Sequence, residues 1–298
     1  MRFEVLWRDA EIDHLKRAAS GSEPSELQLA ELVHKQNQLC QDFEFIANAN
    51  VGGEFMEQAD KERLAELAAI TWERHFDDRL GLSPVEELKL SQQDTKVSYP
   101  VTEALLRDKS EHVIKRANKV EFDPKFGIKM DIPEHQYNLG ELYNLSISRG
   151  TLTAEDRFKI NEHVTSTIKM LENLPFPPEL ARVPRYASTH HETLKGTGYP
   201  RKLSAKDLSI PERILVVADI FEALTAADRP YKKAKPLSVA IDILYKMALD
   251  EHLDMDLFKL FLSSGIYLEY AHKFLDEAQI NNVDVAKYLN GEPMRKSA

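Results

Sequence analysis

Apolar residues recur at helical spacing along most of this chain, and its β-branched runs are short. From Glu11 to Ala49 the apolar positions include Ile12, Leu15, Leu27, Leu29, Leu32, Val33, Leu39, Phe43, Phe45 and Ile46. Gly21 to Pro24 divides this stretch into two helices, with Ser25 as the cap of the second. A turn at Asn50 to Gly53 precedes a charged helix from about Asp60 to Phe76. Ser83 to Pro100 is polar and reads as a linker or loop, Glu103 to Ala117 as a helix, and Val120 to His135 as irregular chain broken by Pro124 and Pro133. Thr153, with Glu155 and Asp156 behind it, starts a helix from about Ala154 to Leu174 whose core stripe is Phe158, Ile160, Val164, Ile168 and Leu171. Three prolines, Pro175, Pro177 and Pro178, end it. Further helices are expected over Ile214 to Leu224, over Leu237 to Ala248, and as a closing pair within Asp254 to Phe274. The pattern predicts an all-α fold with an N-terminal helical extension. We divide it into residues 1–56 (helical segment or connector), 57–136 (helical region with an insertion) and 137–298 (the main domain).

Composition narrows the function classes. A formal charge of -10 argues against a DNA or RNA binder, which carries a basic face. Cys40 is the single cysteine, so no internal disulfide forms and a reducing compartment fits. The opening Met1 to Trp7 soon turns charged and is no signal peptide, and no apolar run of about 18 residues exists to span a membrane. The expected location is the cytoplasm.

The candidate chemistry lies between His190 and Tyr231. Asp219 interrupts the apolar run Ile214-Leu215-Val216-Val217-Ala218-Asp219-Ile220-Phe221. On a buried face its carboxylate would need a cation, a hydrogen-bond donor or a metal. His190 and His191 supply imidazoles, which together with carboxylates suit iron, manganese or zinc. Taken singly, each feature is ordinary: a surface histidine pair, an internal acceptor, a Gly-Tyr-Pro loop.

Together they are not. His190-His191-Glu192, Gly196-x-Gly198-Tyr199-Pro200, and Ala218-Asp219-x-Phe221-x-Ala223-Leu224-Thr225 through Asp228-Arg229-Pro230-Tyr231 resemble the HD-GYP family of metal-dependent phosphohydrolases. The resemblance extends from about Leu142 to Leu275. It implies an HD-superfamily helical bundle and two or three divalent ions, iron or manganese, and hydrolysis of a cyclic dinucleotide, cyclic di-GMP or cyclic GMP-AMP. It places His163, His190, His191 and Asp219 at metal positions, with Gly198, Tyr199, Pro200, Arg229 and Lys232 toward substrate. Such ions would acidify a water and clamp phosphate oxygens. Arg201, Lys202, Lys233 and Lys235 add local positive charge, and Lys195 stands where the family carries aspartate.

The namesake His-Asp dyad is altered. The family sets it near a helix end followed by glycine and an apolar residue, which places Asp77 at the histidine and Asp78 at the bridging, catalytic aspartate, ahead of Gly81-Leu82. A shifted alignment pairs His75 with Asp78 on one helix face. Otherwise Asp77 and Asp78 form ion pairs with Arg74 and Arg79. The region before His163 is longer than the family's usual spacing, and this insertion either covers the site or shapes a subunit contact. A rival function is a degenerate module that binds cyclic dinucleotide or signalling proteins without cleaving. The N-terminal helices are compatible with a homodimer or a sensor-domain partner.

Overall fold

The structure is a computed structural model that describes residues 1–20, 26–53, 55–78, 80–84, 98–226 and 234–290. The chain separates into two compact units: residues 1–119 with 133–157, and residues 120–132 with 158–298. It is mainly helical, as the pattern predicts.

The first unit opens with α1 (Arg2–Ala19) and α2 (Glu26–Val51). They run antiparallel, since Phe3 meets Phe43 edge to face while Gln36 donates to Glu11. The first helix thus begins at Arg2, earlier than the periodicity indicates. Ser25 lies outside the described residues. Leu39 is buried, but Ile12, Leu15, Leu27, Leu29, Val33 and Phe43 stay exposed, so most of the apolar positions do not form a core here.

Helix α3 (Gln58–Ala68) is shorter than the expected helix to Phe76, because residues 71–74 form strand β1 (Thr71–Arg74). It pairs antiparallel with β2 (Val101–Ala104), Thr71 opposite Ala104 and Arg74 opposite Val101. The expected helix from Glu103 to Ala117 is likewise absent: β2 is followed by β3 (Val113–Lys115), which pairs with β4 (His135–Asn138). The physical reason is a cross-strand ion pair. Glu103 is buried, its Oε1 accepts from Arg74 Nε at 2.9 Å, and its other oxygen pairs with Arg107. These two guanidinium groups outweigh burial and hold its carboxyl below the ordinary value. Because His75 to Asp78 follow a strand, His75 and Asp78 share no helix face. Helix α4 (Glu141–Leu145) completes the unit.

Helix α5 (Ala154–Leu171) starts as expected, with the Thr153 hydroxyl accepting from Asp156 N at 3.1 Å and donating to its carboxylate at 2.8 Å. Within the second unit it buries Phe158, Val164 and Ile168, whereas Ile160 faces outward. The unit continues with α6 (Val183–Ala187), α7 (Ile210–Thr225), α8 (Leu237–Leu249), α9 (Met255–Ser263), α10 (Ile266–Phe274) and α11 (Val285–Leu289). Val216, Val217 and Phe221 of α7 pack with Ile241 and Leu244 of α8 and Phe258 of α9 to make its core. Two caps fix α7 and α9. Glu212 accepts from both the backbone and the hydroxyl of Ser209, and Asp254 caps α9 while bonding Arg213 at 2.8 Å. Among the described residues, no helix is long and apolar enough to cross a membrane.

Candidate metal centre

Three histidines converge in the second unit. His163 stands on α5, and His190 and His191 follow α6 directly. Their ligand nitrogens lie within 4.8 Å of one another, and the Nε2 atoms of His163 and His191 are 3.3 Å apart. Donors on one ion at about 2.0–2.1 Å are separated by roughly 3–4 Å, so this spacing fits a shared cation.

The proton positions agree. A carbonyl oxygen can only accept, so His163 Nδ1 donates to Ile160 O at 2.6 Å and His190 Nδ1 donates to Ala187 O at 2.9 Å. Both rings are therefore held in the tautomer that leaves Nε2 with a free lone pair, the second-shell arrangement of metal-bound imidazole. Burial, then the neighbouring His190 and His163, pulls the His191 pKa down to about 4, so this ring is neutral at ordinary pH. Its Nδ1 faces Asp219 Oδ2 at 3.6 Å, beyond hydrogen-bond reach, and its Nε2 lies 3.3 Å from the Nε2 lone pair of His163. A proton on His191 Nε2 would satisfy this contact as a hydrogen bond, and a divalent ion would take that proton's place, so the three converging nitrogens fit a metal.

Asp219 differs from the expected picture of a carboxylate in an apolar face. Its side chain is 40 % exposed, and α7 turns Val216, Val217, Phe221 and Thr225 inward instead. No desolvation penalty forces it to bind metal. Its contact is with His191, outside the three-histidine group.

The Gly-Tyr-Pro loop lies against these rings. Tyr199 stacks on His191 with centroids 4.7 Å apart and a 26° tilt. Burial and Asp219 push its phenol up to about 12, so it stays protonated and can donate. A side chain at Gly198 would place its Cβ 2.5 Å from Glu192 Cα and His191 O, so only glycine lets the loop cross the histidine backbone. Tyr199 N then donates to His191 O at 3.2 Å.

In the sequence, Glu192 has no assigned role and Arg201 counts only as local positive charge, whereas the structure places both behind the loop. Glu192 is fully buried, and its two oxygens accept from Arg201 N at 2.7 Å and Leu203 N at 2.8 Å. Burial raises its carboxyl above the ordinary value despite these donors. Arg201 bonds Ser188 Oγ at 2.7 Å and Phe126 O at 2.8 Å. The place of Glu192 beside a histidine pair and the charge of Arg201 in a Gly/Pro loop were the available signals. Lys202 pairs with Asp131, and Lys195 pairs with Asp250 while its N–H donates to Glu251 O. Three of the loop cations are thus engaged within the protein. Arg229, Lys232 and Lys233 lie outside the described residues.

Asp77 and Asp78 belong to the first unit. Asp78 pairs with Arg74 and Lys109, each at 3.3 Å, and Asp77 bonds Tyr99. Arg79 lies outside the described residues.

Comparison with known proteins gives the family. The HD domain model matches residues 100–257, downstream of Asp77 and Asp78. The chain is 39 % identical to 3'3'-cGAMP-specific phosphodiesterase 3 of Vibrio cholerae over 32 % of its own length and 20 % of that protein. It is 38 % identical to a cyclic di-GMP phosphodiesterase of Thermotoga maritima over 30 % of this chain and 24 % of the relative. With the cyclic di-GMP phosphodiesterase response regulator RpfG of Xanthomonas campestris it shares 44 % identity, over 20 % of this chain and 15 % of the other. The chain thus spans a quarter or less of the length of these relatives. HD domains bind divalent metal ions, in keeping with the three convergent imidazoles. With more than half of its residues matched and the Gly-Tyr-Pro loop stacked on the histidine pair, the chain belongs to the HD domain family, in its HD-GYP branch.

Proposed function

We propose that this protein is a metal-dependent phosphodiesterase that hydrolyses a cyclic dinucleotide, cyclic di-GMP or cyclic GMP-AMP. The observation that carries the reading is the convergence of His163 and His191 Nε2 at 3.3 Å, with the His163 and His190 rings anchored through Nδ1, beside Tyr199. His163, His190 and His191 hold the metal, and Asp219 completes or orients the set through His191. Imidazoles with one carboxylate suit iron or manganese, and the resemblance to HD-GYP proteins supports a centre of two or three ions. Asp78 and Asp77 are the remaining candidate ligands, and Asp78 already has two cations as partners. Divalent ions held by these residues would supply Lewis acidity at a phosphoryl oxygen and would lower the pKa of a bound water.

The protein's own groups do the rest. Tyr199, protonated at working pH, donates from its hydroxyl toward the ligand while its ring covers His191. Gly198 and Pro200 shape the pocket edge, and Arg229 and Lys232 are the cations that the family resemblance assigns to the phosphates. Hydrolysis of both dinucleotides by Mn- or Fe-loaded protein, with His190→Ala alongside, tests the reading. Turnover abolished in the variant supports it. Protein that holds metal and cleaves neither substrate overturns it.

A further inference from the structure

Residues 120–132 attach to the second unit although the chain on both sides of them belongs to the first. This segment lies within the longer region that precedes His163. Three polar ties fasten it to the Gly-Tyr-Pro loop: Arg201 Nε donates to Phe126 O at 2.8 Å, Lys129 N to Pro200 O at 2.7 Å, and Lys202 Nζ to Asp131 at 2.9 Å. Phe126 and Ile128 also join Val164 and Ile168 of α5 in one apolar cluster that packs on Tyr199. Val164 is the residue after His163. Tyr199 is thus held between this cluster and the His191 ring.

We infer that segment 120–132 is a clamp on the metal centre, in which Phe126 and Arg201 are positioning residues that act through Tyr199 on His191. Two features argue for this over a passive surface wrap. The ties all reach the three residues that follow Tyr199, Pro200 to Lys202, and Glu192 grips the same stretch from the opposite side through Arg201 N and Leu203 N. Because Gly198 allows no gap between loop and histidine backbone, a displacement of the loop moves the ring stacked on His191. Partners of this kind, one shell behind a metal ligand, change metal affinity by roughly 10–100-fold when removed.

The inference rests on the three histidines being metal ligands, and the test separates the two ideas. Co²⁺ affinity and the Co²⁺ absorption spectrum are measured in a double-mutant cycle of Phe126→Ala and Tyr199→Ala, with no substrate present. Each single variant is expected to weaken binding about tenfold. The double variant should be no weaker than the poorer single, and Phe126→Leu should restore affinity. Additive losses, or wild-type affinity in Phe126→Ala, overturn the clamp. If Phe126→Ala does not fold, Ile128→Ala at the half-buried edge of the same cluster takes its place in the cycle with the same criteria. Wild-type protein that binds no Co²⁺ overturns the metal reading beneath the inference, whereas normal binding by wild type with indifferent variants overturns the clamp alone.

Discussion

Two regions of this molecule offer metal-ligating side chains, and their surroundings differ. Around His163, His190 and His191 the first two rings are anchored from behind by carbonyls, the His191 ring is neutral, and no cationic side chain among the described residues is bonded to them. Around Asp78 the carboxylate is already neutralised by Arg74 and Lys109, and the buried Glu103 nearby is neutralised by Arg74 and Arg107. One set of donors lacks a positive charge and the other has received it from the protein. Ligand chemistry in the residue type is shared by both; the distribution of counter-charge separates them.

That comparison breaks most decisively at the histidines. His190→Ala should lower Mn²⁺ or Co²⁺ affinity by about a hundredfold, the upper end for loss of a positioned group, while Asp78→Ala should leave it within a factor of about three. Equal losses, measured by calorimetric titration, would erase the distinction. Next comes the support behind the rings. Glu192→Ala strands two backbone N–H donors in a buried place, and a loss of about 2–4 kcal/mol in urea unfolding is expected. A loss near zero would mean that the loop re-forms without it. Asp219→Ala should weaken metal binding about tenfold, and Asp219→Asn less, since the amide can still face His191 Nδ1.

On the other side, Asp78→Ala removes partly exposed ion pairs and should cost under about 1 kcal/mol. The pH response of Glu103 sharpens the contrast further. Its folded pKa is depressed, so its contribution is present above the unfolded value and is lost as pH falls through the folded one. The stability advantage of wild type over Glu103→Gln should therefore shrink on acidification below about pH 4.5. An advantage that grows with acid would show that the two arginines do not set this carboxyl.

The sequence made the second unit far easier to read than the first. Thr153, the His163 helix, the histidine pair and the Asp219 helix are each specified within a few residues by a cap, a periodicity or a proline stop. Strand β1 was not, because Thr71 to Arg74 meets its partner about thirty residues later, and Glu103, read locally, extends a helical pattern. Segment 120–132 was legible only as irregular chain, since its order comes from the loop it binds rather than from its own composition. Glu192 was hidden for a similar reason: a glutamate beside two histidines looks like another surface polar residue until two backbone N–H groups some ten residues on are seen to need it.

Helix α7 has a consequence in time. Asp219 lies two residues from Val217 and two from Phe221, both sealed in the core, with Thr225 buried one turn further on. Amides on such a helix exchange with solvent only when the whole unit opens. The carboxylate facing His191 is therefore carried by a helix whose backbone is anchored in the core of the unit. The backbone beneath Asp219 is thus a fixed reference for the histidines, and release of whatever the centre holds calls for movement of side chains and the loop rather than of α7.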